Sequence, residues 1–231
     1  MTGTDQQAST WALVPLKSSE RAKSRLAEIL DPEQRVRLFY AMAERVIRAL
    51  RASKGIDAVA VVTASREVAA FARSLDAVPI LQDMDVGVSP ALESALHTLQ
   101  AMQPARVLML PGDLPLISYT AVEAVLTAAD PNASIVLVPD RRREGTNALL
   151  CAPPHALAPQ FGACSFERHL AAAQATGIAT RVMEIEEVAL DLDCADDLNY
   201  LQLHGGRRAA QLFATLRSVD VDLCAAGGVK R

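Results

Sequence analysis

Short apolar runs alternate with amphipathic segments between about Thr10 and His204. This alternation is typical of an α/β fold with a parallel sheet, in which crossover helices join successive strands. Several runs are apolar throughout, as expected of strands that helices cover on both faces. Seven strands are predicted: WALVP from Trp11, AVAVVT from Ala58, VPILQ from Val78, RVLMLP from Arg106, SIVLVP from Ser134, NALLCA from Asn147 and TRVMEI from Thr180.

The helix with the clearest signals begins after Asp31, a good capping residue, and has Pro32 and Glu33 in its first turn. Apolar residues then recur at steps of three and four, which predicts a stripe that packs on the core. The stripe consists of Val36, Phe39, Tyr40, Ala43, Val46, Ile47 and Leu50. Further helices are predicted over residues 65–74, 90–102, 118–128, 165–176 and 195–204.

The pattern predicts one domain, a mostly parallel twisted sheet with helices on both faces. Residues 1–9 are expected to be a disordered N-terminus and residues 10–204 the globular domain. Residues 205–231, where the periodicity loosens after two glycines, are expected to form a C-terminal extension that is partly helical or mobile.

Composition narrows the functional classes. A formal net charge of -4 gives no global attraction to nucleic acid, so an anionic ligand must be held by a local cluster. No apolar run approaches the ~20 residues that span a bilayer, and the polar first residues do not resemble a secretory signal, so we expect a cytoplasmic protein. The four cysteines never form C-x-x-C spacing, which argues against a zinc site.

A basic cluster follows the first predicted strand and consists of Lys17, Arg21, Lys23 and Arg25. Ligands of open α/β sheets bind at the carboxyl ends of the strands, where this cluster lies. Four cations there would suit a polyphosphate. A solvated loop with scattered charges is the alternative interpretation.

Carboxylates follow two other predicted strands. Asp113 ends an apolar strand, where an uncompensated charge is costly unless it meets a cation or hydrogen-bond donors. Asp191 and Asp193 lie two residues apart at what is predicted to be a strand end, so they should project to one face. A shared Mg²⁺ would relieve their repulsion. The following Asp196 and Asp197 are expected to cap the next helix.

A weaker signal lies between these carboxylates. Gly145 and Thr146 precede a strand, and Gly162 and Ser165 precede a helix, whose free backbone amides could bind an anion. Ser165 could equally be an ordinary helix cap. Together with the cations and carboxylates, the segment fits metal-assisted attack of an acceptor on a nucleoside α-phosphate, with pyrophosphate leaving.

The segments VPLK, ERAKSRL, LPGDLPL, GTNALL, FG..SF.RH and LDLDCADDL, in this order, resemble the phospholactate guanylyltransferases of coenzyme F420 biosynthesis. The resemblance covers about residues 11–203 and implies a GT-A-like nucleotidyltransferase. The implied reaction transfers GMP from GTP to 2-phospho-L-lactate, phosphoenolpyruvate or 3-phospho-D-glycerate, and the product passes to the next transferase of the pathway. Whether the chain forms a homodimer is left open.

The resemblance also implies roles for individual residues. Lys17 and Lys23 would bind the triphosphate of GTP and would act in catalysis together with Asp113. The remaining assignments are Arg25, Gly87 and Ser89 for GTP, Thr146, Gly162 and Ser165 for the acceptor acid, and Asp113, Asp191 and Asp193 for Mg²⁺.

Two segments depart from the family pattern. Ser89 replaces an asparagine in the turn that follows Gly87, and Ala163-Cys164 replaces a proline or acidic residue followed by glycine. Because the second change adjoins the expected acceptor site, it favours 3-phospho-D-glycerate slightly.

Three rival functions remain to be weighed. A sugar-phosphate or molybdopterin nucleotidyltransferase would share the fold and the carboxylates, but the segment after the first strand lacks the glycine-rich loop of the molybdopterin type. A non-catalytic GTP sensor would not need all three aspartates. A dinucleotide-binding dehydrogenase is disfavoured because no G-x-G-x-x-G follows the first strand.

Overall fold

A computed structural model describes residues 9–19, 23–130 and 133–216. All seven predicted strands are present within a residue or two of their expected starts, and they join one sheet in the order β3-β2-β1-β4-β6-β5-β7. The bounds are β1 Thr10–Pro15, β2 Ala58–Thr63, β3 Val78–Leu81, β4 Arg106–Met109, β5 Ser134–Pro139, β6 Thr146–Ala152 and β7 Thr180–Val182.

The predicted helices are also present. The bounds are α1 Pro32–Ala52, α2 Arg66–Ser74, α3 Val88–Leu99, α4 Tyr119–Thr127, α5 Ser165–Thr176, α6 Glu186–Ala189, α7 Ala195–His204 and α8 Gly206–Leu216, with 3₁₀ turns at Ser24–Leu26 and Gln100–Met102. The one-turn helix α6 was not predicted, because four residues are too few to show a helical period. Within the described residues no helix has the length and apolar character needed to cross a bilayer.

The cap predicted at Asp31 is a complete capping box. The Asp31 carboxylate accepts from the Gln34 N–H at 2.8 Å, and the Gln34 side chain accepts from the Asp31 N–H at 2.9 Å. These bonds satisfy donors that would otherwise lack partners at the start of α1.

Helix α1 buries two rows of side chains instead of the one predicted. The predicted stripe packs on the sheet from Phe39 to Leu50, with Tyr40 only half-buried, whereas Val36 is half-buried outside that cluster. The stripe omitted Leu38 and Met42, which are fully buried in a second cluster with residues of α7 and α8. The helix is therefore enclosed by the sheet on one side and the C-terminal helices on the other.

The strand β6 runs antiparallel to its neighbours β4 and β5, whereas the other described strands are mutually parallel. An antiparallel strand begins where its neighbours end. Pro139, the last residue of β5, therefore pairs with Thr146, the first residue of β6. This geometry places Thr146 at the ligand-binding edge of the sheet.

Both faces of the sheet are covered, as predicted. Alternate residues of each strand point to opposite faces, so Val14 packs with α1 and α4 while Leu13 packs with α3 and α5. The helix α8 begins the segment for which we expected partial helix. Residues 1–8 and 217–231 lie outside the described residues, so the expectations for both termini stay predictions.

We predict that Leu212→Ala, in α8, lowers the free energy of unfolding by about 2–4 kcal/mol, because it leaves a cavity where a leucine is 1% exposed. Urea unfolding measures the change. The matched control is Gln211→Ala at the neighbouring exposed position, which should change stability by no more than about 0.5 kcal/mol. Equal effects of the two variants would show that α8 does not pack as described.

Candidate active site

Two adjoining cavities open at the carboxyl edge of the sheet, and Val88 at the start of α3 contacts both. The first, of about 320 Å³, lies over the ends of β1 and β2 and is called the nucleoside cavity below, because Lys17 and Gly87, which are predicted to bind GTP, line it. The second, of about 520 Å³, lies over the ends of β4 and β5 and the start of β6 and is called the acceptor cavity, because the predicted acceptor residues line it. All three predicted metal-binding aspartates line the acceptor cavity.

Lys23 joins two of those aspartates. Its ammonium lies 2.5 Å from Asp113 Oδ2 and 2.8 Å from Asp193 Oδ1, and only 7% of its side chain is exposed. Burial alone would lower the pKa of Lys23, but the two carboxylates outweigh burial and raise the pKa above its ordinary value. The side chain therefore stays charged at the pH of any assay.

Asp113 has one satisfied and one unsatisfied oxygen. Its Oδ2 meets Lys23, whereas the buried Oδ1 has no hydrogen-bond partner among the described residues. The preceding residue, Gly112, packs tightly against Leu16, since a Cβ on Gly112 would lie 2.2 Å from the Leu16 side chain. A buried carboxylate oxygen without a partner is costly, and a cation would satisfy it.

The surroundings of Asp191 disfavour its ionised form. Burial, and then the nearby charge of Asp113, raise the pKa of its carboxyl to about 6, although a hydrogen bond from Asn147 at 3.3 Å opposes the shift. The same Asn147 amide donates to the carbonyls of Val188 and Ala189. Asn147 therefore holds the loop that carries Asp191.

The prediction that Asp191 and Asp193 follow a strand was wrong. Residues 190–193 form a loop between α6 and α7, and the Leu192 N–H donates to the Asp113 carbonyl at 3.1 Å. Buried Leu190 and Leu192 alternate with the aspartates, which imitates the period of a strand. Within the described residues no three metal-binding side chains already converge as a complete site, and the Lys23 ammonium lies between two of the candidates.

The structure divides the basic cluster between the two cavities. Lys17 lines the nucleoside cavity, is 60% exposed at its side chain and lies 3.5 Å from Asp85. Arg25 is exposed at the rim of the acceptor cavity. Arg21 lies outside the described residues.

Gly87 and Ser89, the two residues predicted to bind GTP at the start of α3, have different surroundings. Gly87 lines the nucleoside cavity with φ 93°, a conformation that favours glycine, and its N–H donates to Asp85. Ser89 does not line that cavity, since its hydroxyl lies 3.3 Å from the Phe161 carbonyl and donates to it. Ser89 therefore ties the start of α3 to the loop that forms the acceptor cavity.

The predicted acceptor residues Thr146, Gly162 and Ser165 all line the acceptor cavity. The Thr146 N–H donates to Ser165 Oγ at 2.9 Å, which joins the start of β6 to the start of α5. Gly162 has φ 117° and its carbonyl accepts from the Ser165 N–H, so the loop turns tightly into α5. Beside it, Cys164 is exposed at φ 52° and lines the same cavity.

The sequence analysis did not assign His169 to the site. Its ring is fully buried beneath the acceptor cavity, with Nδ1 2.9 Å from Thr146 Oγ1 and Nε2 2.7 Å from the Gln160 N. Burial, and then the charge of Arg168, lower the pKa of His169 to about 4. The sequence signal that could have identified His169 is its position four residues after Ser165, which places both residues on the inner face of α5.

The expectation that Asp197 caps α7 is confirmed. Its Oδ2 accepts from the Cys194 N–H at 3.0 Å and from the Asp193 N–H at 3.1 Å. Arg141 lies 3.3 Å from its other oxygen and also stacks on Tyr200. Asp197 thus fixes the backbone of Asp193, and Asp196 is exposed.

Comparison with known proteins identifies relatives along almost the whole chain. A family model described as guanylyl transferase CofC like matches residues 10–229. The phosphoenolpyruvate guanylyltransferase of Rubrobacter xylanophilus is 42% identical over 86% of this chain and 96% of its own length. The enzyme of that name from Conexibacter woesei is 38% identical over 84% and 87%. The 2-phospho-L-lactate guanylyltransferase of Methanothermobacter thermautotrophicus is 33% identical over 90% and 91%.

Solved structures share the fold. A nucleotide-diphospho-sugar transferase of Desulfovibrio desulfuricans, so described in its own report as putative, aligns with a TM-score of 0.70 at 13% identity and covers 92% of this chain and 99% of its own. A nucleotidyl transferase of Methanothermobacter thermautotrophicus aligns with a TM-score of 0.64 at 19% identity, over 90% and 99%. At these identities the likeness concerns the fold alone, and it confirms the GT-A-like architecture.

We predict that His169 makes stability fall as the pH falls from about 6.5 to 4. Its pKa is lower in the folded than in the unfolded chain, so the unfolded state binds the additional proton in this window. The free energy of unfolding of the wild type should therefore drop by about 2–3 kcal/mol more than that of His169→Asn between pH 7 and pH 4. Urea unfolding at the two pH values measures the difference. The exposed control His97→Asn should keep the wild-type dependence.

We predict the opposite sign for Asp191. Because its pKa is raised when the chain folds, ionisation of Asp191 opposes folding above pH 6. Without divalent cations, Asp191→Asn should therefore be about 1–3 kcal/mol more stable than wild type at pH 8 and gain little at pH 4. Chemical unfolding in a chelating buffer tests this, with the exposed Asp196→Asn as control. A loss of stability at pH 8 would contradict the assigned environment.

Proposed function

The chain belongs to the CofC-like guanylyl transferases, and we propose that it transfers GMP from GTP to the phosphate of a three-carbon phospho acid in coenzyme F420 biosynthesis. The observation that carries the proposal is the position of Asp113, Asp191 and Asp193. Their carboxylates lie at the carboxyl edge of the sheet, beside the cavity that adjoins the nucleoside cavity. We therefore propose that the reacting α-phosphate lies between the nucleoside cavity and the acceptor cavity, beside these carboxylates.

The nucleoside cavity suits the nucleoside and the start of the triphosphate. Its walls include apolar residues such as Val62 and Met84 together with residues 15–18 and 63–65. Lys17, which is exposed there, is placed to reach a phosphate by leaving its 3.5 Å contact with Asp85. Such an exposed ion pair contributes little to stability, so its loss is a small cost.

The three aspartates fit a divalent cation, which we propose to be Mg²⁺. The unpartnered Oδ1 of Asp113 and the raised pKa of Asp191 both describe oxygens that a cation would stabilise. Oxygen ligands from few carboxylates together with phosphates are the environment that Mg²⁺ prefers. When bound, the cation would supply charge neutralisation and polarisation at the α-phosphate.

The reaction needs alignment more than acid–base catalysis. A phosphate oxygen of the acceptor acid, already ionised at neutral pH, forms a bond to the α-phosphorus, and the bond from that phosphorus to the bridging oxygen of pyrophosphate breaks. Lys23 keeps its positive charge beside Asp113 and is proposed to stabilise the charge that develops on the phosphates. Lys17 and Arg25 are proposed to hold the triphosphate from the two sides.

The acceptor is proposed to be phosphoenolpyruvate, 2-phospho-L-lactate or 3-phospho-D-glycerate. The relatives named above act, by their names, on the first two acids. The preference for 3-phospho-D-glycerate stays a prediction that rests on Ala163 and Cys164, which line the acceptor cavity. The diphosphate-linked product is proposed to pass to the next transferase of the pathway.

Pyrophosphate release from GTP and Mg²⁺ tests this function, with each of the three acids offered separately and the downstream transferase present to consume product. We predict release with at least one acid and a loss of at least about 100-fold in Asp113→Asn, because a charged ligand of the proposed cation at the reacting phosphates is removed. The matched control is Asp196→Asn, an exposed carboxylate of the same acidic region, which should retain wild-type turnover.

The alternatives give different results in the same assay. Release with a sugar 1-phosphate, and with none of the three acids, would favour a sugar-phosphate nucleotidyltransferase. GTP binding without turnover on any acceptor would favour a sensor. Full activity of Asp113→Asn would refute the role of the carboxylates while leaving the family unchanged.

A further inference from the structure

His169 accepts a hydrogen bond from the main chain, and this bond fixes its tautomer. The Gln160 N–H can only donate, so Nε2, at 2.7 Å, is the unprotonated nitrogen of the ring. The single proton of the neutral imidazole is then on Nδ1. The ring is further held by Phe161, which packs edge-on with centroids 5.1 Å apart.

The tautomer determines the direction of the next hydrogen bond. The Nδ1–H donates to Thr146 Oγ1 at 2.9 Å, so the hydroxyl oxygen is an acceptor in that bond. The Thr146 hydroxyl proton must therefore be donated elsewhere, and the described residues offer it no other acceptor. The side chain is 4% exposed and lines the acceptor cavity, so a bound ligand is the available acceptor.

The Ser165 hydroxyl is also left as a donor, for an independent reason. Its Oγ accepts from the Thr146 N–H at 2.9 Å, which leaves the hydroxyl proton of Ser165 to be donated. Ser165 is 1% exposed and lines the same cavity. Two hydroxyl donors side by side match an oxyanion, either a carboxylate or a phosphate, and do not match a ligand hydroxyl that must itself donate.

We propose that His169 is a positioning residue that makes the Thr146 hydroxyl a fixed donor to an anionic oxygen of the acceptor acid, with Ser165 as the second donor. This rests on the proposed function, because it assigns the acid to the acceptor cavity. The burial that keeps His169 neutral preserves the arrangement throughout the physiological pH range. His169 itself contacts no substrate.

The test compares the KM for the acceptor acid with the KM for GTP in wild type, Thr146→Val, His169→Gln and the double variant. Glutamine can still accept from the Gln160 N–H at the position of Nε2 but offers no donor at the position of Nδ1. We expect each single variant to raise the KM for the acid about tenfold or more and to leave the KM for GTP within about twofold. The double variant should be no worse than Thr146→Val, because His169 acts through that hydroxyl.

His169→Asn is the conservative control, since its amide N–H can replace the Nδ1 donor, and it should recover part of the affinity lost in His169→Gln. Thermal unfolding of each variant identifies any that fails to fold, in which case Thr146→Val and His169→Asn still decide. An unchanged KM for the acid in Thr146→Val, or additive losses in the double variant, would overturn the proposal. Wild type that is inactive with every acid would instead refute the proposed function.

Discussion

Mutual repulsion among Asp113, Asp191 and Asp193 is the constraint on which the site depends. Burial, and then the charge of Asp113, raise the pKa of Asp191, so a third negative charge is unfavourable there although Lys23 already pairs with the other two carboxylates. The chain compensates with a neutral donor, because the Asn147 amide donates to Asp191. The Asp193 N–H donates to the Asp197 carboxylate, which holds the backbone of Asp193 in place. The folded chain thus keeps a concentration of negative charge that is unfavourable by itself and favourable for binding a cation with phosphates.

The acceptor half of the site depends on the reversed strand β6. Because β6 begins where β4 and β5 end, Thr146 at the start of β6 lies at the same edge as Asp113 in the loop that follows β4. The helix α5 then brings Ser165 and His169 against Thr146 from the other side. The buried hydrogen bonds among these three residues fix the direction in which the hydroxyls at the acceptor cavity can donate.

Much of the fold could be predicted from local pattern. Apolar runs and capping residues located the strands and most helices, because these signals depend on neighbours within a few residues. The features that were predicted wrongly or missed are explained by the same dependence on near neighbours. The helix α6 is too short for a period, and the alternating leucines of residues 190–193 imitate a strand although they pack as a loop. Leu38 and Met42 were omitted because their partners in α7 and α8 are distant in sequence.

Residue type and order were enough to predict the α/β class, the family resemblance and the set of charged residues at the site. Which of these charges meet depends on tertiary packing. Lys23 reaches Asp113 and Asp193 across 90 and 170 positions of the chain, and no local pattern encodes such a contact. Tertiary packing also places Lys17, but not Lys23, at the nucleoside cavity. It directs the Ser89 hydroxyl to the Phe161 carbonyl and brings His169 into contact with Thr146. These outcomes depend on how the helices pack on the sheet, which a periodicity of three or four residues cannot specify.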